Sequence, residues 1–308
     1  MNTGKFELQL LGCSAALPAF NRLPSAQVLN IHEKLFLIDC GEGTQFQLKK
    51  YGIRKSRIDH IFISHLHGDH VFGLPGLITS YNLMDRKEDL NIYAPQGIEE
   101  MITQILSFSS GELHYKICFH NITDFQGKII FEDEHVKVKS LPLNHKIPTS
   151  GFLFEEKLAK RKLNLKAINE LGISKEYWKQ IEEGFDISLS DHRKISNSQL
   201  VLDQQTTRKY AYCSDTRYEL SLIPYLKNIS LLYHETTYLD ELSLKAQENG
   251  HSTAIQAAKI ALAANVKTLL TGHYSSRYEK LDPILKECQS IFENTILGTE
   301  GLIIKVDS

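Results

Sequence analysis

The chain has 308 residues, 42% of them hydrophobic, and a formal net charge of −2 at pH 7. That is enough apolar residue for one large two-layered core, and no low-complexity linker marks a second domain, so a single domain over 1–308 is expected. The charge argues against a general nucleic-acid binder, no apolar run nears the roughly eighteen residues of a membrane span, no signal-peptide-like start is visible, and the five cysteines lack a CxxC pair, so a cytoplasmic protein with no membrane partner is expected.

Taken in chain order, a basic cluster comes first: Lys49, Lys50, Arg54, Lys55 and Arg57. The apolar stretch Ile58 to Ile63 follows and reads as a buried strand. Directly after it, Ser64-His65-Leu66-His67-Gly68-Asp69-His70 packs three imidazoles and a carboxylate into one loop. Those are ligand groups for zinc and its neighbours. In an extended backbone, residues i and i+2 share a face, so His65 and His67 can grip one ion together. Gly68 lets the chain turn and sends Asp69 and His70 to another side, so one loop can serve two ions.

Downstream, short apolar runs end on polar residues: Leu141-Pro142-Leu143-Asn144-His145, Tyr212-Cys213-Ser214-Asp215, and Leu269-Leu270-Thr271-Gly272-His273. Singly, His145 reads equally as a turn residue and Asp215 as a helix N-cap. Between Phe154 and Ile187 lies a stretch with few strand signals, in which Lys157, Lys160, Arg161, Lys162 and Lys166 cluster and Leu163, Ala167 and Leu171 suit a short helix. It looks inserted. Near the end, Thr253-x-x-Gln256 has the form of a capping box ahead of the periodic run Ile255 to Ala264.

The run His65-x-His67-x-Asp69-His70 resembles the HxHxDH signature of the metallo-β-lactamase superfamily. The resemblance implies an α/β (α+β) fold, a four-layer αββα sandwich with a two-metal site at one edge. It also implies that His65, His67 and His145 hold one ion, that Asp69, His70 and His273 hold the other, and that Asp215 bridges them.

Further segments resemble one family in particular, ribonuclease Z, the tRNA 3′-processing endoribonuclease, in its short form. They are Leu10-Leu11-Gly12-Cys13-Ser14-Ala15-Ala16-Leu17-Pro18, Asp39-Cys40-Gly41-Glu42-Gly43-Thr44-Gln45, Val71 to Leu77, His234-Glu235-Thr236-Thr237-Tyr238, Gly250-His251-Ser252-Thr253 and His273-Tyr274-Ser275-Ser276-Arg277-Tyr278. The likeness covers nearly the whole chain. It implies two divalent ions per subunit, with zinc expected, precursor tRNA as substrate, and a homodimer. It also implies an inserted protruding arm, residues 156–187, that grips tRNA. Two local departures stand out: the arm lacks the family's Gly-Pro turn, and the early PxKxRN loop reads Pro18-Ala19-Phe20-Asn21-Arg22-Leu23.

In-line hydrolysis of a phosphodiester needs an activated water, charge neutralisation at phosphorus, and a proton for the departing 3′ oxygen. Metals supply the first two, and the third calls for an acid outside the ligand set. His251 precedes a helix, whose N-terminus would lower its pKa, so a carboxylate partner is needed to keep it charged. Glu235 is the candidate, and Asp69 counts as both ligand and catalytic group. Arg277, with Ser275 beside it, is the candidate grip on a substrate phosphate oxygen. The competing expectation is a superfamily hydrolase acting on small phosphodiesters, esters or lactones, which would need no arm.

Overall fold

Two seven-stranded sheets are built from the apolar runs. The computed structural model describes residues 4–109, 112–157, 161–189, 191–202 and 207–307. The first sheet runs in space Ile303–Lys305, Phe6–Gly12, Ala26–Ile31, Lys34–Cys40, Ile58–Phe62, Leu90–Ala94, Ile117–Asn121. From Lys34–Cys40 onward its strands are parallel. The second runs Thr295–Leu297, Thr268–Gly272, Leu231–Glu235, Lys209–Cys213, Ser150–Glu156, Val136–Pro142, Ile129–Glu132, its first four strands parallel. Parallel strands bring their C-terminal ends to a common rim, where loops can carry function on rigid supports.

Alternation along the strands divides the core. Between the sheets lie Phe36, Phe62, Phe152, Phe154, Tyr210, Tyr212 and Tyr233. Phe62 meets Phe152 and Phe154 edge-on at 5.4 and 5.3 Å. Such pairs contribute about 0.5–1.5 kcal/mol beyond area burial. The opposite face of the first sheet packs on helices Leu74–Leu83 and Ile98–Ser109. That of the second packs on Ala254–Ala263 and Asp282–Gln289. The result is four layers, helix, sheet, sheet, helix.

Helix Ala254–Ala263 starts as its capping box requires, with Gln256 N–H donating to Thr253 Oγ1 at 3.2 Å and Thr253 N–H to Gln256 Oε1 at 3.0 Å. A cap of this kind is worth about 1 kcal/mol. The buried Ala254, Ala257, Ala258 and Ala261 keep its inner face slim.

The chain divides into two compact units, the sandwich, Met1–Glu155 with Arg208–Asp307, and a smaller one, Glu156–Thr207. The smaller unit holds the helices Leu165–Glu170, Trp178–Glu182 and Asn197–Leu200 and a ribbon of Ile187–Ser188 with Lys194–Ile195. Ile168, Ile173, Ile181, Ile187, Ile195, Leu200 and Val201 form its own core. The expected insertion at 156–187 is its first part, and Ile195, Leu200 and Val201 complete the packing beyond that boundary. Lys157, Arg161, Lys162 and Lys166 belong to this unit, while Lys160 lies outside the described residues.

Candidate metal centre

Strand ends supply the site. His65 follows Ile58–Phe62, His145 follows Val136–Pro142, Asp215 follows Lys209–Cys213, Glu235 closes Leu231–Glu235, and His273 follows Thr268–Gly272. His67, Asp69 and His70 come from the loop after His65 and the helical turn Gly68–Val71.

These residues gather into two groups of donors. In one, His65, His67, His145 and Asp215 each offer an atom within 4.8 Å of the others; in the second, Asp69, His70 and His273 do the same. Asp215 faces both groups with different oxygens. Its Oδ2 lies 3.7 Å from His65 Nε2 and 3.9 Å from His145 Nε2, while its Oδ1 lies 3.1 Å from His273 Nε2 and 3.5 Å from His70 Nε2. Asp69 Oδ2 lies 3.5 Å from both His70 Nε2 and His273 Nε2.

In three of the rings the second nitrogen is held from behind. His145 Nδ1 donates to Gly250 O at 2.7 Å, His70 Nδ1 to Asp39 Oδ2 at 2.7 Å, and His273 Nδ1 faces Thr237 Oγ1 at 3.0 Å. Bonds of this kind fix ring orientation and leave the front nitrogen free to accept a cation. Gly250 has φ +83°, and a Cβ there would lie 2.7 Å from His145 Nδ1, so only glycine allows this approach.

Electrostatics point the same way. Burial alone would lower the His70 imidazole, but Asp215, Asp69 and Asp39 outweigh it and push it up to about 10. Burial would raise Asp215, yet His273, His70 and His65 hold it well below the usual carboxylate range. A buried carboxylate cluster ringed by imidazoles favours positive charge, and imidazole nitrogen with carboxylate oxygen is a donor set that fits zinc and its neighbours.

Asp39, which in sequence is one residue of the Asp39–Gln45 segment, organises this side of the centre. Besides His70, it accepts from Ser64 N–H at 2.7 Å, Ser64 Oγ–H at 2.9 Å and Tyr212 O–H at 2.6 Å. A non-glycine residue at φ +56° is uncommon, but a lone strand-end aspartate gives little sign of that in sequence.

Glu235 and His251 meet. His251 Nδ1 lies 3.1 Å from Glu235 Oε1, and the fully buried Glu235 also accepts from the N–H groups of Thr216 and Ser252 at 2.6 and 3.1 Å and from the Thr237 hydroxyl. Burial would lower His251; the Glu235 carboxylate, then Asp215 and Asp69, lift it to about 9. His251 also stands within 4.8 Å of Asp215 and His273 as a third donor group. His234 is buried in its strand.

A cleft of about 550 Å³ opens on the centre, lined among others by Ala15, Ala16, Asp69, His251, Ser275 and Ser276. Arg277 is not among the lining residues: it is exposed, its Nε donating to Ser275 Oγ at 3.1 Å and its guanidinium 5.5 Å from the Tyr238 ring.

Comparison with known proteins bears on this geometry. The chain is 42% identical over 302 residues to "Ribonuclease Z" of Bacteroides fragilis, covering 98% of this chain and 99% of that protein. It is 43% identical over 299 residues to "Ribonuclease Z" of Porphyromonas gingivalis, covering 97% and 98%. The crystal structure of human tRNase Z, short form, superposes with a TM-score of 0.71 at 27% identity, covering 98% of this chain and 100% of that one. The metallo-β-lactamase fold protein YhfI of Bacillus subtilis has a TM-score of 0.70 at 17% identity, covering 98% and 99%, a likeness of fold. A family model described as Anti-Pycsar protein Apyc1 matches residues 6–160, the half with the histidine loop and His145 but without Asp215, Glu235, His251 or His273.

Proposed function

The chain belongs to the ribonuclease Z family, and from that membership we propose that it removes the 3′ trailer of precursor tRNA by in-line hydrolysis of a phosphodiester, leaving a 3′-OH on the tRNA. It is an endoribonuclease of the metallo-β-lactamase superfamily. The observation that carries the mechanism is the placement of Asp215, whose two oxygens face two separate donor groups.

His65, His67 and His145 would hold one divalent ion and Asp69, His70 and His273 the other, with Asp215 facing both groups; zinc is the expected metal. Bound there, the ions would neutralise charge at phosphorus and activate the attacking water. Asp69 lines the cleft, its Oδ2 accepting the Ala16 N–H at 2.7 Å, and serves as the carboxylate that takes a proton from the attacking water. His251, kept charged by Glu235, gives its proton to the departing 3′ oxygen. Ser275, lining the cleft, offers a hydroxyl to a phosphate oxygen, and Arg277 reaches it only if its side chain leaves Tyr238 and Ser275.

The small unit, with Lys157, Arg161, Lys162 and Lys166, serves as the arm, contributing phosphate contacts that position tRNA without reading sequence. A cytoplasmic homodimer is the proposed working form. No helix among the described residues is long and apolar enough to cross a membrane.

Incubation with a precursor tRNA and an unrelated hairpin RNA, followed by mapping of the cut, tests the reading. One cut at the 3′ end of the tRNA body, with the hairpin intact, is expected. Hydrolysis of small phosphodiesters with both RNAs uncut would overturn it in favour of the small-substrate alternative.

A further inference from the structure

The metal centre does not absorb the basic cluster that precedes the histidine loop. Lys49, Arg54 and Lys55 line a cleft of about 600 Å³ whose apolar walls include Phe46, Ile53 and Met84. Among the described residues none of the three cations has a carboxylate within ion-pair distance, whereas their neighbour Arg57 pairs with Glu33 at 3.7 Å. Lys49 and Lys50 complement the C-terminal dipole of helix Thr44–Lys50, but Arg54 and Lys55 lie beyond that helix and gain nothing from it. Burial, and to a lesser extent the Lys49 ammonium, lower the pKa of Lys55.

Phe46 ties this cleft to the site. It is 67% exposed, and it also lines a neighbouring cavity of about 440 Å³ with Phe20, Arg22, Lys50 and Glu300. That cavity is walled by residues 18–23, and the same loop presents Ala15, Ala16 and Pro24 to the metal cleft. Three openings therefore succeed one another along one loop and one helix. Two exposed aromatic rings mark the way, Phe20 with the Arg22 guanidinium 5.3 Å from its ring centre and Phe46 three and four residues before Lys49 and Lys50 on the helix.

Cations interleaved with exposed aromatics are how proteins hold single-stranded nucleic acid, the rings stacking bases and the charges following the backbone. We propose that Phe20, Phe46, Lys49, Arg54 and Lys55 form a track for the unpaired RNA 3′ of the cut, leading the trailer away from the metal centre. Pairing of this patch with its own copy would set like charges against each other, so charge complementarity selects a polyanion. The track rests on the reading of the protein as a nuclease for 3′-extended RNA.

The test compares precursor tRNAs carrying a single-nucleotide and a long trailer, in wild type, Phe46→Ala and Lys49→Ala/Lys55→Ala. Wild type should bind the long-trailer precursor more tightly. Both variants should lose about tenfold or more of that affinity while binding the short-trailer precursor and hydrolysing a nitrophenyl phosphodiester as wild type does. The lysine variant should also reduce the slope of log affinity against log salt by about 1.4, or 0.7 for each phosphate contact on a single strand. Equal binding of both precursors by wild type, variants that keep the long-trailer advantage, or a variant that changes oligomeric state and loses both substrates would overturn the track. A wild type that cuts neither RNA would instead overturn the nuclease reading. The track is then judged by binding of the trailer oligoribonucleotide alone, which both variants must weaken.

Discussion

His251 Nδ1 lies 3.1 Å from Glu235 Oε1, and that oxygen also accepts the Thr216 N–H at 2.6 Å. The carboxylate thus serves two ends, holding the imidazole charged and tying three segments of buried backbone together. His251→Ala should slow RNA cleavage by about 10²–10⁴, the range for a general acid, while sparing nitrophenyl phosphodiesters, whose leaving group needs no proton, and leaving metal content unchanged. Equal losses on both substrates, or loss of metal, would show that the pair supports the site's structure and is not its acid, as the place of His251 beside Asp215 and His273 allows. Glu235→Ala strands the buried N–H groups of Thr216 and Ser252 and the Thr237 hydroxyl, so it should also cost at least about 2 kcal/mol of stability in a denaturant titration.

Asp39→Ala removes the acceptor shared by His70, Ser64 and Tyr212. Divalent-ion affinity, read by competition with a chromogenic chelator, should fall about 10- to 100-fold although no ligand is altered. Affinity equal to wild type would mean that His70 is oriented without Asp39.

Glu155 gives the fold an acid limit. Burial would raise its pKa, but hydrogen bonds and charge from Lys139 and Lys209 outweigh this and depress it from 4.5 to about 2, with Lys137 also within 3.3 Å. A depressed folded pKa contributes stability that is present above about pH 4.5 and is lost as pH falls toward 2. The melting temperature of Glu155→Gln should therefore start lower at neutral pH and decline less than that of wild type across that window. Parallel curves would show that the lysines do not depend on this carboxylate.

Deleting residues 156–207 removes a unit with its own apolar core. Hydrolysis of a small phosphodiester should survive, and affinity for precursor tRNA, measured by gel shift, should fall at least tenfold, as loss of several phosphate contacts implies. Unchanged tRNA affinity would refute the arm, as would loss of small-substrate activity in a folded protein.

Much of this was legible because it is local. The strand into His65, the loop spacing and the Thr253–Gln256 cap depend on neighbours in sequence, and the structure reproduces them at Ile58–Phe62, Gly68–Val71 and Ala254–Ala263. The role of Asp39 is not legible in sequence because its partners lie 25, 31 and 173 residues away, and only the packed sandwich brings Ser64, His70 and Tyr212 to it. Arg277 shows the opposite limit: a loop guanidinium four residues from a ligand can turn toward the cleft or away, and here Tyr238 and Ser275 draw it aside. The small unit's end is hidden in sequence because Ile195 and the short run Leu200-Val201-Leu202 stand in an otherwise polar stretch, and Ile195, Leu200 and Val201 join its core only by folding.

The central claim is that two donor groups joined by Asp215 each hold an ion. Elemental analysis of purified wild type, His145→Ala and His273→Ala, after loading with zinc and removal of the excess, tests it most directly. The account predicts two ions per chain in wild type and about one in each variant, with precursor cleavage lost in both, because each histidine belongs to a different group. A single ion in wild type, or two in both variants, would contradict it.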